Sequence, residues 1–375
     1  MFNALARTGR LRRWLSAASL SVLVLAVGVA APAVAQGLAT AGSAASSSSF
    51  NQPGDLLIAD QFNNRVIEVN AAHQIVWQFG LGPNDFSAQS IIGTNDAQRV
   101  GSFTLMAGTG TPPSTVPECP QGCPDNRVIL VNRSGQIVWQ YGQFGVTGSG
   151  PNELNTPVQS TWLPNTDVLI TDQANERIIE VNQAKGIVWQ YGMTGVTGTG
   201  FDQLNNPNSA ELLANGNILI SDENNNRVIE VNRQHDIVWQ YPEKPRRELL
   251  SGAAFASRLA NGNTLITDSN NNRVIEVTMA GEVVFSYTTD LQKGSNRAPL
   301  PTRAVRLATG NTLISDQFNN RVIEINPAGA IVRQEGLLNV SGYSPTTTTV
   351  GLFAPYDAKV VGDYTGLTPP FGFGQ

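Results

Sequence analysis

Three arginines stand at equivalent positions of a repeated segment, namely Arg99, Arg258 and Arg306. A guanidinium group is planar and donates paired hydrogen bonds, so it can bind carboxylate, sulfate or phosphate. In the six copies of the segment this position holds Arg99, Trp162, Leu212, Arg258, Arg306 and Val360. If these segments surround a channel, the three arginines and Trp162 form an anion site. Alternatively, each arginine pairs locally with an acid or with a backbone carbonyl.

A second group of basic residues lies in the loops between the fourth, fifth and sixth copies. Its members are Lys244, Arg246, Arg247, Lys293, Arg297 and Arg303. The whole chain has a formal net charge of -5, so this sector would be locally basic on an acidic protein. It could bind an anion or an acidic polymer, or it could be a solvated loop face. Because no long basic run occurs, we do not expect nucleic-acid binding.

Residues for acid–base or covalent catalysis are scarce. The two histidines, His73 and His235, both fall in predicted hairpin turns. No Ser-His-Asp or Cys-His set can be assembled, and Glu211 and Asp357 do not by themselves make a metal site. We therefore expect a binding protein, with a channel-site enzyme that acts on an anionic substrate as the alternative.

The two cysteines, Cys119 and Cys123, lie in the short segment C-P-Q-G-C. In an exported protein this spacing favours a local disulfide. A zinc site is the alternative, but tetrahedral zinc would need further Cys or His ligands.

These residues belong to a repeat marked by N-N-R-V-I-E-V-N followed by G-x-I-V-W-Q-Y. The arginines of this motif are Arg65, Arg127, Arg177, Arg227, Arg273 and Arg321. An aspartate stands five residues earlier in five copies: Asp60, Asp172, Asp222, Asp268 and Asp316. In the second copy Gly108 takes that place, nineteen residues before Arg127, so fourteen extra residues with both cysteines are inserted there.

The repeated aspartates could suggest a metal ring, but they open the same turn in copy after copy. A carboxylate at this position can accept backbone N–H groups of the turn and pair with the arginine that follows. We therefore predict that the five aspartates are structural.

Each repeat is predicted to form four strands, A to D, which in the fourth copy span 209–213, 217–221, 227–232 and 236–241. Strands B, C and D are nearly continuous apolar runs, which indicates that both faces of every sheet are covered. The strand D tryptophans, which we expect to pack between blades, are Trp77, Trp139, Trp189 and Trp239. Four-stranded antiparallel sheets of this kind form the blades of a β-propeller; a linear solenoid is the alternative.

Both ends of the repeat region argue for a closed ring. The first copy begins at Gly54-Asp55-Leu56, which is strand B, and its strand A is missing. Near the other end, residues 354–361 align with strand A of the fourth copy. The sequence therefore predicts that this last strand completes the first blade.

The hairpin D-x-x-N-N-R-V resembles the NHL-type propeller repeat, and the wider pattern in residues 310–326 is similar to blades of arylsulfotransferase-like and PQQ-type propellers. The resemblance covers about residues 54–362. It implies the fold, but it leaves function open among lyases, lactonases, sulfotransferases, cofactor proteins and binding scaffolds. Arylsulfotransferases are expected to use channel histidines, which strand A and the B–C turns lack here.

Residues 1–35 are predicted to be a bacterial-type signal peptide, with early arginines, an apolar stretch and the cleavage site Ala33-Val34-Ala35. Residues 36–53 follow as a flexible linker, 54–362 as the propeller and 363–375 as a C-terminal tail. We expect a secreted or cell-envelope protein without a transmembrane span after cleavage, an uncleaved anchor being the alternative.

The sequence thus predicts an all-β fold, a six-bladed propeller closed by its C-terminal strand. We expect it to bind a protein, a glycan or a small anionic ligand through its loop face or its central channel. No cofactor is predicted; calcium and a quinone cofactor stay open as alternatives.

Overall fold

The computed structural model describes residues 49–244 and 249–369. Within them the chain forms six antiparallel sheets of four strands each, which are the blades of a closed ring. No helix in this part of the chain is both long and apolar enough to cross a membrane. The short helical turns are all of the 3-10 type.

The strands follow one another in the order A to D within each blade, with strand A innermost. Blade 1 begins with strands B to D, which are Leu56–Asp60 (β1), Arg65–Val69 (β2) and Ile75–Phe79 (β3). Blade 2 contains Thr94–Val100 (β4), Phe103–Gly108 (β5), Arg127–Val131 (β6) and Ile137–Gly142 (β7). Blade 3 contains Pro157–Trp162 (β8), Val168–Asp172 (β9), Arg177–Val181 (β10) and Ile187–Tyr191 (β11).

The second half of the ring has the same organisation. Blade 4 contains Pro207–Leu212 (β12), Ile218–Asp222 (β13), Arg227–Val231 (β14) and Ile237–Tyr241 (β15). Blade 5 contains Ala253–Arg258 (β16), Thr264–Asp268 (β17), Arg273–Val277 (β18) and Val283–Thr288 (β19). Blade 6 contains Arg303–Arg306 (β20), Thr312–Asp316 (β21), Arg321–Ile325 (β22) and Ile331–Gly336 (β23).

The last strand, Pro355–Val360 (β24), closes the ring. It pairs antiparallel with β1, and Ile58 lies opposite Ala358. The first sheet therefore has the order β24-β1-β2-β3, so its inner strand comes from the end of the chain. This confirms the predicted closure by a C-terminal strand A.

The hydrophobic core is divided into clusters that lie between neighbouring blades. One cluster joins Ile178 and Tyr191 of blade 3 to Ala210, Ile220 and Ile229 of blade 4. An isolated blade would leave both of its apolar faces in water, whereas the ring buries them. This packing explains why the B and C strands are apolar at consecutive positions.

The turn between strands B and C is held by the repeated aspartate and arginine. In blade 1, Arg65 Nε donates to Asp60 Oδ2 at 2.8 Å, and both side chains are fully buried. Asp172, Asp222, Asp268 and Asp316 accept the same bond from Arg177, Arg227, Arg273 and Arg321 at 2.7–2.8 Å. The residue before each arginine is left-handed, as Asn226 shows with a φ of 51°.

The insertion of blade 2 lies between β5 and β6 and contains a disulfide between Cys119 and Cys123. Thr111 pairs with Cys123 across its base through two backbone hydrogen bonds of 2.9 Å. Where the other blades have the turn aspartate, blade 2 uses Asp125, whose Oδ1 lies 2.5 Å from Arg127 Nε. The insertion therefore supplies, through Asp125, the carboxylate that blade 2 lacks at Gly108.

Candidate functional site

The structure places Arg99, Arg258 and Arg306 at three different blade interfaces. Each pairs with a glutamate on strand C of the preceding blade: Arg99 with Glu68 at 2.5 Å, Arg258 with Glu230 at 2.8 Å, and Arg306 with Glu276 at 3.0 Å. The guanidinium groups are not brought together around the channel. Each arginine is therefore paired locally with an acid, which was the alternative interpretation. The predicted convergence of the three arginines on the channel was wrong.

An aromatic ring on strand D of the preceding blade completes each arrangement. The guanidinium carbon lies 4.9 Å from the Trp77 ring centre for Arg99, 4.6 Å from Trp239 for Arg258 and 5.4 Å from Phe285 for Arg306. Such stacking favours a cation over the ring face. Burial lowers the pKa of Arg99 to about 10, against the opposing effect of Glu68. Burial likewise lowers the pKa of Arg258.

The copies without an arginine show why these residues occur where they do. Trp162 stands opposite blade 2, whose strand C carries Leu130 in place of the glutamate, and its ring meets Trp139 edge-on at 6.3 Å. Trp162 therefore packs in an apolar interface. At Leu212 the glutamate Glu180 is present, and Arg233 from a C–D turn pairs with it at 2.5 Å. At these two interfaces the strand C acid and its cation are therefore either both absent or both present.

The centre of the channel is filled by a central ion cluster of Asp96, Arg303, Asp357 and Lys359, all on inner strands. Arg303 Nη2 lies 2.9 Å from Asp96 Oδ1. Arg303 Nε lies 2.5 Å from Asp357 Oδ1, and these two atoms form an ion pair whose geometry does not meet the angle criteria of a hydrogen bond. Lys359 Nζ binds Asp96 at 2.8 Å and Asp357 at 2.5 Å. Two carboxylates and two cations leave the cluster formally neutral.

The two acids of the central ion cluster differ in their electrostatics. Burial works to raise the pKa of Asp357, but Arg303 and Lys359 outweigh it and hold that pKa below its usual value. For Asp96, burial prevails over Lys359 and Arg303, so its pKa is raised. Arg303 also stacks over the Phe255 ring at 4.1 Å. The cluster is thus a packed part of the channel.

The predicted basic patch is only partly found on the surface. Arg303 was wrongly placed there, because it opens strand β20 and points into the channel with 4% of its side chain exposed. Lys244, Lys293 and Arg297 are exposed loop residues. Arg246 and Arg247 lie outside the described residues.

The tail segment, residues 362–369, covers the channel at the end that carries the A–B turns. Thr368 donates from its backbone nitrogen and its Oγ to Glu211 Oε2, at 2.9 Å and 2.6 Å. Tyr364 donates from its hydroxyl to the carbonyl of Arg99 at 2.8 Å. Glu211, which also accepts from Gln159 at 2.7 Å, is therefore committed to holding this segment.

A pocket of about 910 Å³ opens beside the tail segment between blades 4 and 5. The A–B turns of these blades, at 212–216 and 259–262, form two walls, and residues 366–369 form the third. Its apolar surface comes from Leu212, Leu213, Leu259, Met279 and Leu367. Of the predicted ligand residues, Arg258 lines it, beside Glu230. This site was not predicted from the sequence. Its walls are turns and the tail segment, and their composition does not distinguish them from the other loops of the chain.

Within the described residues, the aspartates of the B–C turns are not grouped in a way that could hold a metal ion. No group of three or more His, Cys, Asp or Glu side chains suited to a metal ion occurs within 49–244 and 249–369. Asp60, Asp172, Asp222 and Asp268 instead also receive a backbone N–H from the segment that leads into strand A of their own blade, as Asp222 does from Asn205 at 2.8 Å. The strand D tryptophans likewise join blades, since Trp239 Nε1 donates to the carbonyl of Met279 at 3.1 Å.

Comparison with known proteins adds to the assignment of the fold. No family model and no curated protein matches this chain. A Bacteroides caccae protein of unknown function is similar in structure, with 14% identity, a TM-score of 0.55, and coverage of 79% of this chain and 97% of that one. Virginiamycin B lyase from Staphylococcus aureus aligns at 14% identity and a TM-score of 0.46, covering 78% and 87% of the two chains.

The structure of a nidogen–laminin complex also aligns, at 13% identity and a TM-score of 0.48, with 75% of this chain and 92% of that one covered. At such identities the likeness concerns the fold alone. The six four-stranded blades and the closing strand β24 define the fold, and the similarity to the Bacteroides caccae protein agrees with it. The chain is therefore a six-bladed β-propeller repeat protein.

Proposed function

We propose that this propeller is an exported, non-catalytic binding protein whose ligand occupies the pocket between blades 4 and 5. The observation that carries the proposal is the pocket itself, which has a volume of about 910 Å³ and apolar walls from two blades and the tail segment. Ligand sites in proteins are concave, mainly apolar and of this size, with a few fixed polar groups.

The polar groups of the pocket support binding over catalysis, because each is held by a partner. Glu230 accepts from Asn215, Asn217 and Arg258 at 2.7–3.0 Å. Arg258 donates to Glu230 and to the carbonyl of Gly262 at 3.3 Å. A general acid or base must be free to exchange a proton with a substrate. The described residues that line the pocket include no His, Cys, Ser, Asp or Lys.

The charges of the pocket favour a neutral ligand. Glu211 and Glu230 outnumber Arg258 as charged residues in its walls, and the guanidinium is already paired with Glu230. An anion would have to displace that glutamate or face two carboxylates. The proposed ligand is therefore mainly apolar, and the hydrogen-bonding part of its recognition comes from the turns. Export rests on the signal pattern of residues 1–35.

The neutral dye Nile red tests the pocket as a binding site in the full chain. Met279 is 52% exposed in the C–D turn of blade 5 and lines the pocket, so Met279→Lys should leave the fold intact. Loss of this contact should weaken dye binding by about fivefold or more. The matched control is Leu291→Lys, at a residue that is 81% exposed and outside the lining. Equal dye binding by both variants would contradict the proposal.

A further inference from the structure

The tail segment lies in the end of the channel in the way that a bound peptide lies in its receptor. It leaves β24 at Gly362 and turns over the inner strands of the ring toward the pocket. Leu367 packs against the apolar cluster that contains Val305 and Leu307. Asp363 Oδ2 accepts the backbone N–H of Ala308 at 2.8 Å. The segment is thus held by side chains and backbone of several blades.

Thr368 is the most closely recognised residue of the segment and is 2% exposed. Its N–H and hydroxyl both reach Glu211, while its Oγ accepts from the backbone nitrogen of Leu212 at 3.0 Å. Its carbonyl accepts from Gln98 Nε2 at 3.3 Å. The backbone N–H, the backbone carbonyl and the hydroxyl of Thr368 are therefore all hydrogen-bonded. Receptors for extended peptides bind backbone and side-chain groups in the same way.

The pocket continues from this bound residue. Leu367, Thr368 and Pro369 form one of its walls, so the occupied position and the open volume share a border. A ligand with the same pattern of N–H, hydroxyl and carbonyl groups would find Glu211, Leu212 and Gln98 already in place. Its apolar neighbours could then extend over Leu212 and Leu259.

We propose that this end of the channel is a peptide-recognition site, filled in the isolated chain by its own tail segment. Its partner is an extended polypeptide that presents an apolar residue, a threonine and a proline in succession, as Leu367, Thr368 and Pro369 do. This inference rests on the proposed binding function and names the class of its ligand. Glu211 selects the threonine, because a carboxylate accepts hydrogen bonds from N–H and O–H donors.

The test uses a fluorescein-labelled peptide with the sequence of residues 362–369, Gly-Asp-Tyr-Thr-Gly-Leu-Thr-Pro, and the full chain. In the unaltered chain the tail segment competes at an effective concentration that is roughly millimolar, so the added peptide should bind weakly. Thr368→Val in the chain removes the hydroxyl from its own segment. That variant should bind the added peptide about tenfold more tightly, as measured by fluorescence anisotropy.

Two controls make the gain specific. Thr349→Val alters an exposed threonine outside the tail segment and should bind the peptide as weakly as the unaltered chain. A peptide with valine in place of the threonine that corresponds to Thr368 should lose about tenfold in affinity for the Thr368→Val chain, because Glu211 loses a hydroxyl partner. If Thr368→Val does not fold, as judged by circular dichroism, Leu367→Ala replaces it.

A folded Thr368→Val chain that binds the peptide no better than the unaltered chain would overturn the peptide site. If that chain still binds Nile red in a manner sensitive to Met279→Lys, the pocket stands as a site for another class of ligand. Displacement of the peptide by maltohexaose, with no displacement by unlabelled peptide, would indicate a glycan site and would also overturn the inference.

Discussion

Asp125 occupies the space in which a side chain at position 108 would lie. A Cβ built on Gly108 would come within 2.6 Å of the Asp125 Cγ. Gly108 stands opposite Arg127 in the sheet, just as Asp60 stands opposite Arg65 in blade 1. The carboxylate therefore reaches the arginine from the insertion, and the glycine leaves room for it.

Loss of this carboxylate should destabilise blade 2. In Asp125→Ala, Arg127 would stay buried, with 2% of its side chain exposed and no anionic partner. Breaking a buried ion pair in this way costs about 3–5 kcal/mol of unfolding free energy. Urea denaturation should show this loss, while Asp236→Ala, at an exposed aspartate, should change stability by less than about 0.5 kcal/mol.

Gly108→Asp provides the matching second change. Alone it should destabilise the protein, because two side chains would compete for one space. Combined with Asp125→Ala it supplies the aspartate of the other blades and should recover part of the lost stability. A double variant less stable than either single variant would contradict this account of the insertion.

The architecture could be predicted from the sequence because the same pattern of strands and turns occurs in six copies. The apolar runs of strands B and C, the turn aspartates and the orphan strand before Gly362 each follow from local rules that every blade obeys. Asp125 could not be found in this way. It lies two residues before Arg127 instead of five, so the repeat pattern places it in the insertion with no stated role.

The position of the arginines was misread for a simple geometric reason. Side chains alternate along a strand, so Arg258 shares a face with Ala256, and Ala256 packs between blades 4 and 5. The residues that reach the channel lie one position from the alanine of strand A. Arg303 precedes Ala304, and Asp357 and Lys359 flank Ala358. Their charges belong to different repeats and come together only when the ring closes.

The exchange of Leu130 and Trp162 for a glutamate and an arginine tests whether the interface pairs act together. Leu130→Glu would bury an unpaired acid at a residue that is 7% exposed, at a cost of about 3 kcal/mol. Adding Trp162→Arg restores the arrangement of Arg258 and Glu230. A double-mutant cycle by urea denaturation should give a favourable coupling of about 1–3 kcal/mol. Additive losses would show that the two positions do not interact.

Glu276 should make the stability of blade 5 depend on pH. Burial tends to raise its pKa, but hydrogen bonds from Asn263 and Asn261 and the charge of Arg306 prevail and hold the pKa below its usual value. A carboxyl with a lowered pKa in the folded state stabilises the fold above its unfolded pKa, about 4.3, and loses this effect as the pH falls through the folded value.

The thermal midpoints of the unaltered chain and of Glu276→Gln should therefore differ most near neutral pH, with the unaltered chain more stable. The difference should shrink as the pH falls below the unfolded pKa of about 4.3 and the folded glutamate begins to take up a proton. Glu282→Gln, at an exposed residue of the same blade, is the matched control and should change the thermal midpoint little. A gap between the unaltered chain and Glu276→Gln that widens on acidification would contradict the sign of the shift.

Deletion of residues 352–375 should open the ring. It removes β24, which pairs with β1 along its length, and leaves Arg303 and Asp96 without Asp357 and Lys359. Both the sheet of blade 1 and the central ion cluster lose partners, so the thermal midpoint should fall by at least about 10 °C. A chain that ends at Val361 keeps β24 and loses the tail segment together with residues 370–375, so its midpoint should fall much less. If both shortened chains melted like the intact protein, the closing strand would contribute nothing to stability, and the ring would be held by blade packing alone.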